Sequence, residues 1–293
     1  MTAVRHEGRL AVPGGEVWYR TVGEGGVPLL CLHGGPGAPS DYLTPLEALA
    51  SNRQVIFYDQ LGCGNSDLTT DQSLFTVERF VAEVDAVRDG LGLDRMHLFG
   101  SSWGGMLAMQ YVLDRAPERA PVSLITAGSP TSSTRWNEIC QSWLLEMPDA
   151  ERAEIERLEA ADMMLSPEYE VAMQPFYVRH VCRLDPWPDF VVRTFDRMAT
   201  AVYHYMAGPS EFRIIGTLRD WDIMDRLGEI SVPTLVTGGE FDECRPVHLR
   251  ENHERIPGSR LEVIPDASHL CFAERPDVWV PIAEAFLAEH DDD

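Results

Sequence analysis

The chain has 293 residues, 44% of them hydrophobic, which is enough for one sizeable core. Its formal net charge is −23 and its isoelectric point about 4.7, so it repels phosphate backbones and anionic lipid; nucleic acid is excluded as a partner. No apolar run approaches the ~18 residues of a membrane span, and MTAVRHEGRL lacks the apolar centre of a signal peptide, so a cytoplasmic protein without a membrane partner is expected.

In chain order, EVWYRTV (16–22) alternates as a half-buried strand does. VPLLCLHG (27–34) and RQVIFYDQ (53–60) carry short continuous apolar runs, the pattern of strands covered on both faces. FTVERFVAEVDAVRDGLGL (75–93) has helical apolar spacing, a glycine stop and a cap at Thr76. RMHLFG (95–100) is the next strand, WGGMLAMQYVLDRAP (103–117) the next helix and VSLITAG (122–128) a further strand. The alternation then breaks. From 131 to 216 the sequence is helical, aromatic and proline-punctuated, too long for a bare loop, and reads as a helical cap. It resumes with a helix in WDIMDRLGEI, a strand in PTLVTGG (233–239), a helix in HLRENHERI, a strand and turn in RLEVIPDASH, and a last helix in DVWVPIAEAFLAEH. The expected architecture is therefore α/β. A mostly parallel sheet with helices on both faces is built from 1–130 and 217–293, with the cap between them.

Gly100-Ser101-Ser102-Trp103-Gly104 fits G-x-S-x-G between a predicted strand and a predicted helix. That context presents Ser102 above the sheet at a helix N-terminus and leaves Ser101 structural. A serine hydroxyl is a weak nucleophile without a base, and the base needs a carboxylate to orient it. Two later strand ends supply both. Asp242 follows PTLVTGG as the candidate acid, and His269 follows RLEVIPD as the candidate base. His33 reads as loop-shaping, and His97, His248 and His253 as solvated or satisfied.

Acyl transfer also needs two N–H groups for the carbonyl oxygen that becomes negative. The Trp103 amide, next after the nucleophile, is one candidate. Gly35 in His33-Gly34-Gly35-Pro36-Gly37 is the other, because glycines let the backbone approach a substrate. The six cysteines are scattered without a C-x-x-C pair, so no metal site is indicated, and the expected chemistry uses no cofactor.

HGGPG (33–37), YDQLGCGNSD (58–67), GSSWGG (100–105), GEFDE (239–243) and SHL (268–270) together resemble the proline iminopeptidase family of α/β-hydrolases. GPSEF…GTLRDWDI (208–223) is similar to the tricorn-interacting aminopeptidase branch in particular. The resemblance implies the α/β-hydrolase fold and a Ser–Asp–His hydrolase that cuts one amino acid from a free N-terminus. It also implies that Glu211 and Glu243 hold the substrate ammonium. Physical chemistry agrees, since a buried cation needs charge-assisted partners.

The expected function is release of an N-terminal residue, proline or another small or hydrophobic one, through an acyl-enzyme. The partner is a small molecule or short peptide with a free amino terminus. Three alternatives stay open: an aminoacyl-amide hydrolase acting on a natural-product intermediate, an esterase or lactonase for neutral substrates, and a non-enzymatic small-molecule receptor. Trp136, Trp143, Phe176, Tyr177 and Tyr205 could line a pocket or form the core of the cap.

Overall fold

A computed structural model describes residues 5–115 and 117–292. Strands β1 (Arg5–Val12) and β2 (Gly15–Val22) form an antiparallel hairpin. The remaining strands are β3 (Leu29–Leu32), β4 (Val55–Tyr58), β5 (His97–Ser101), β6 (Leu124–Ala127), β7 (Thr234–Gly239) and β8 (Arg260–Ile264). They make one eight-stranded sheet in the order β1-β2-β4-β3-β5-β6-β7-β8. β2 pairs antiparallel with β4, and every pairing from β4 to β8 is parallel. The five strands β3 to β7 are buried at every residue, which is why their sequences are continuous apolar runs rather than alternations.

The helices are α1 (Val77–Gly90), α2 (Trp103–Asp114), α3 (Ser133–Glu146), α4 (Asp149–Ala160), α5 (Pro167–His180), α6 (Asp189–Asp196), α7 (Thr200–Met206), α8 (Pro246–Arg255), α9 (Cys271–Glu274) and α10 (Pro276–Glu289). Thr76 caps α1 as expected, its hydroxyl accepting from the Arg79 N–H at 3.2 Å. Helices α3 to α7 lie between β6 and β7, where the sequence breaks its alternation. The apolar faces of α3, α4, α5 and α7 continue the core on one side of the sheet, where Trp136, Leu144, Ile155 and Phe176 pack into the same cluster as Phe80 of α1 and Leu107 of α2, while Val191 of α6 joins the core on the other side. The opposite face is covered by a 3-10 helix at Ser40–Ser51 with α9 and α10, through Leu43, Leu46, Phe272 and Trp279.

Two elements depart from the expectation. β1 is an edge strand, largely exposed, and its sequence RHEGRLAV offers no buried run to mark it. WDIMDRLGEI forms only a short 3-10 helix, Met224–Glu229. Its start is held elsewhere, with the Ile223 N–H donating to the Thr131 carbonyl at 2.9 Å, and Gly228 lies inside it. Too few residues remain to nucleate an α-helix. Among the described residues, no helix is long and apolar enough to cross a membrane.

The sheet and α2 meet most closely at Gly104, where a Cβ would collide with the Leu32 carbonyl oxygen and press on that of His33. Backbone on both sides leaves nothing to yield. Gly104→Ala is expected to lower unfolding free energy by about 3 kcal/mol or more in denaturant titrations. Gly228→Ala, where an added Cβ meets open space, should stay within about 0.5 kcal/mol of the parent.

Candidate active site

The turn between β5 and α2 carries Ser102 at φ 55° and ψ −124°, a conformation that costs a non-glycine residue about 1–3 kcal/mol. The fold over-determines it. The Ser102 N–H donates to the Ala127 carbonyl at 2.9 Å, and the Gly105 N–H donates back to the Ser102 carbonyl at 2.9 Å. Gly100 permits the closeness, since a Cβ there would strike the Gly104 backbone. Ser101 is fully buried beneath the turn.

A hydrogen-bonded chain ties this turn to the glycine loop after β3. The Gln60 N–H donates to His33 Nε2 at 2.8 Å, and the Gln60 side-chain amide donates to the His33 carbonyl at 2.9 Å. Gln60 Oε1 accepts from the Trp103 indole at 2.8 Å. His33 is buried and accepts through Nε2, and burial holds its pKa down against the pull of Asp59, so it shapes the loop as a neutral ring. Asp59 fixes the next turn by accepting from the Ser40 N–H at 2.8 Å and the Asn65 N–H at 2.8 Å. In the glycine loop the Gly34 N–H is already committed to the Tyr42 hydroxyl at 2.7 Å. The Gly35 and Trp103 amides have no acceptor among the described residues.

Asp242 lies in the turn after β7 and is fully buried. Its Oδ1 accepts from the Cys244 N–H at 2.8 Å and lies 2.8 Å from Nδ1 of His269. An aspartate oxygen only accepts, so Nδ1 carries a proton. Helices α3 and α5 hold this turn from above. The Trp143 indole donates to the Asp242 carbonyl at 3.1 Å, and His180 Nδ1 donates to the Phe241 carbonyl at 2.9 Å. The His180 carbonyl accepts from the amides of both Glu243 (3.2 Å) and His269 (3.1 Å).

Ser102, His269, Gly35, Glu211 and Glu243 line one cavity, with Asp242 behind the imidazole. Glu211 Oε1 accepts from the Tyr203 hydroxyl at 2.5 Å. Glu243 Oε1 lies 3.4 Å from His269 Nε2, and its buried Oε2 has no hydrogen-bond partner among the described residues. Burial raises the pKa of both glutamates and Glu211 adds to the rise at Glu243, while a charged His269 pulls both down. Burial opposes charge on His269, yet Asp242, Glu243 and Glu211 outweigh it and hold its pKa up at about 10.

Of the cap aromatics, Tyr177 lines the cavity, Trp136 donates its indole N–H to the Glu211 carbonyl at 2.9 Å, and Phe176 is core. Tyr205 lies in a separate groove beside Phe75. Tyr203, Tyr42 and His180 carry structural duties at the site that no motif announces. Their partners are brought close only by folding.

A family model described as the alpha/beta hydrolase fold matches residues 27–276. A proline iminopeptidase of Lactobacillus helveticus is 37% identical over 292 residues, covering 98% of this chain and 99% of that protein. The chain belongs to the proline iminopeptidase family. The crystal structure of a proline iminopeptidase from Mycobacterium smegmatis superposes with a TM-score of 0.90 at 37% identity, over 98% of this chain and 99% of that one. The crystal structure of VinJ gives a TM-score of 0.93 at 34% identity, over 97% and 99%. The two superpositions cover 98% and 97% of the chain, so the insertion as well as the sheet is matched.

Tyr42→Phe removes the only acceptor that the buried Gly34 N–H has among the described residues. Its unfolding free energy should fall by about 1–3 kcal/mol in denaturant titrations, the cost of an unsatisfied buried donor.

Proposed function

We propose that this protein is a serine aminopeptidase that releases an N-terminal residue, proline foremost, from a small molecule or short peptide with a free amino terminus. The observation that carries this reading is a pair of buried carboxylates, Glu211 and Glu243, in the same cavity as Ser102 and His269, with one oxygen of Glu243 unsatisfied. A buried carboxylate without a partner is expensive, and a substrate ammonium removes that penalty. The family relationship supports the same activity.

In this mechanism the α-ammonium docks between Glu211 and Glu243, which brings the first carbonyl over Ser102. His269 takes the hydroxyl proton as Oγ attacks, and Asp242 holds the imidazole in the required tautomer through Nδ1. The Gly35 and Trp103 amides donate to the oxyanion, with the N-terminus of α2 adding its dipole. His269 then gives the proton to the leaving nitrogen, the C–N bond breaks, and an acyl-enzyme remains. Water attacks that ester, again through His269, and the free amino acid departs. Helices α3 to α7 act as a cap that closes the site from above, and side chains with water suffice for every step. A cytoplasmic setting fits the six cysteines, all of them free and buried.

An esterase or lactonase for neutral substrates would gain nothing from two buried glutamates, and a receptor would not need a serine in a strained turn beside a His–Asp pair. Aminoacyl-p-nitroanilides decide among the readings. Free-amino substrates should turn over and their N-acetylated counterparts should not; equal rates would overturn the ammonium site. Glu243→Gln should lose at least about 2 kcal/mol in kcat/KM on the free-amino substrate. Asp242→Asn should lower kcat by about 10⁴-fold through the wrong imidazole tautomer, and a fluorophosphonate should label Ser102 in the parent but not in Ser102→Ala.

A further inference from the structure

His269 and Glu243 meet in a way that the acyl-transfer cycle does not use. Nε2 of His269 is the nitrogen that has to accept the Ser102 proton, and it lies 3.4 Å from Oε1 of Glu243. The other ring nitrogen is already committed to Asp242 at 2.8 Å. The charges that act most strongly on the imidazole are negative: Asp242 and Glu243 from the turn after β7, and Glu211 from the segment after α7. Arg245, later in the same turn, holds its guanidinium 3.6 Å over the Trp143 ring and pairs with Glu146 at 2.7 Å. His180 at the end of α5 is kept neutral by burial, which lowers its pKa to about 4, and its Nδ1 serves the Phe241 carbonyl. Trp136 of α3 faces the imidazole edge-on at 6.3 Å, and Glu274 of α9 accepts from Ser268. An imidazole so surrounded keeps its second proton well above neutral pH. With Nε2 protonated the ring faces Glu243 as an ion pair at 3.4 Å and cannot serve as a base.

Building on the aminopeptidase reading, we propose that Glu243 holds the catalytic base protonated by pairing with Nε2 as an ion, and that the substrate's own ammonium switches the base on by taking Glu243 for itself. The charge balances. One ammonium enters, its N–H groups bond to Glu243 and Glu211, and the proton on Nε2 leaves to bulk water. The neutral imidazole then accepts the Ser102 proton. Glu243 therefore acts on the chemical step as well as on affinity. A neutral acyl compound that fits the cavity finds the base already occupied, so selectivity does not rest on binding alone.

The first test is isothermal titration of Ser102→Ala with L-prolinol, an amine without a carbonyl, near neutral pH in buffers of differing ionisation enthalpy. The switch requires release of close to one proton per prolinol bound. Binding without proton release overturns the switch and leaves the aminopeptidase reading standing. Failure to bind prolinol at tens of millimolar overturns both. The second test uses a neutral fluorophosphonate, which reaches Ser102 without an ammonium. Parent inactivation should be slow at neutral pH and climb about tenfold per pH unit. Glu243→Gln should react at least about tenfold faster at neutral pH, with its midpoint moved down by about one unit or more, while its aminopeptidase activity falls. Identical inactivation profiles for parent and variant overturn the switch.

Discussion

The hydrogen bond between Asp242 and His269 is the contact on which the site depends, and three separate parts of the chain maintain it. The turn after β7 supplies the carboxylate, the turn after β8 supplies the imidazole, and the inserted helices hold the two in register. Because Asp242 is fully buried, the pair is dry and its attraction is strong. The same dryness makes every additional charge consequential. Glu211 and Glu243 line a cavity whose described wall carries no arginine, so the arrangement favours a cation.

The strained serine turn shows how the fold supports a costly conformation. Ser102 sits at positive φ with its amide and carbonyl both engaged, and backbone packs against Gly100 and Gly104 too closely for any side chain. The His33–Gln60–Trp103 chain then sets the glycine loop against this turn. Two loops that are far apart in sequence are thereby fixed relative to one another by three side chains, none of which needs to touch a substrate.

Much of this was legible in the chain. The buried strands announced themselves through apolar runs, and the serine turn through glycines flanking a strand–helix junction. Asp242 and His269 were readable because both follow strands that lead out of the sheet at the same edge. The edge strand β1 was not readable, since only Leu10 and Val12 at its end are apolar and half-buried, too few to make an alternation. Nor was Met224–Glu229, where a tertiary hydrogen bond to Thr131 overrides local helical spacing. Glu211 and Glu243 were named through family resemblance, because a carboxylate in a loop looks the same in sequence whether it is solvated or sealed in a cavity. Tyr203 and His180 meet their partners once the insertion has packed, and Tyr42 meets the Gly34 amide once the segment after β3 turns back, so no motif marks any of the three.

The carbonyl of His180, which receives amides from both the acid turn and the base turn, bears on how anything reaches Ser102. A cover fastened to the catalytic loops at that point cannot swing away as a hinged door would without pulling Asp242 and His269 out of alignment. Traffic must instead pass through a doorway in a fixed roof, so the width of that doorway, rather than the timing of a hinge, governs which molecules are admitted.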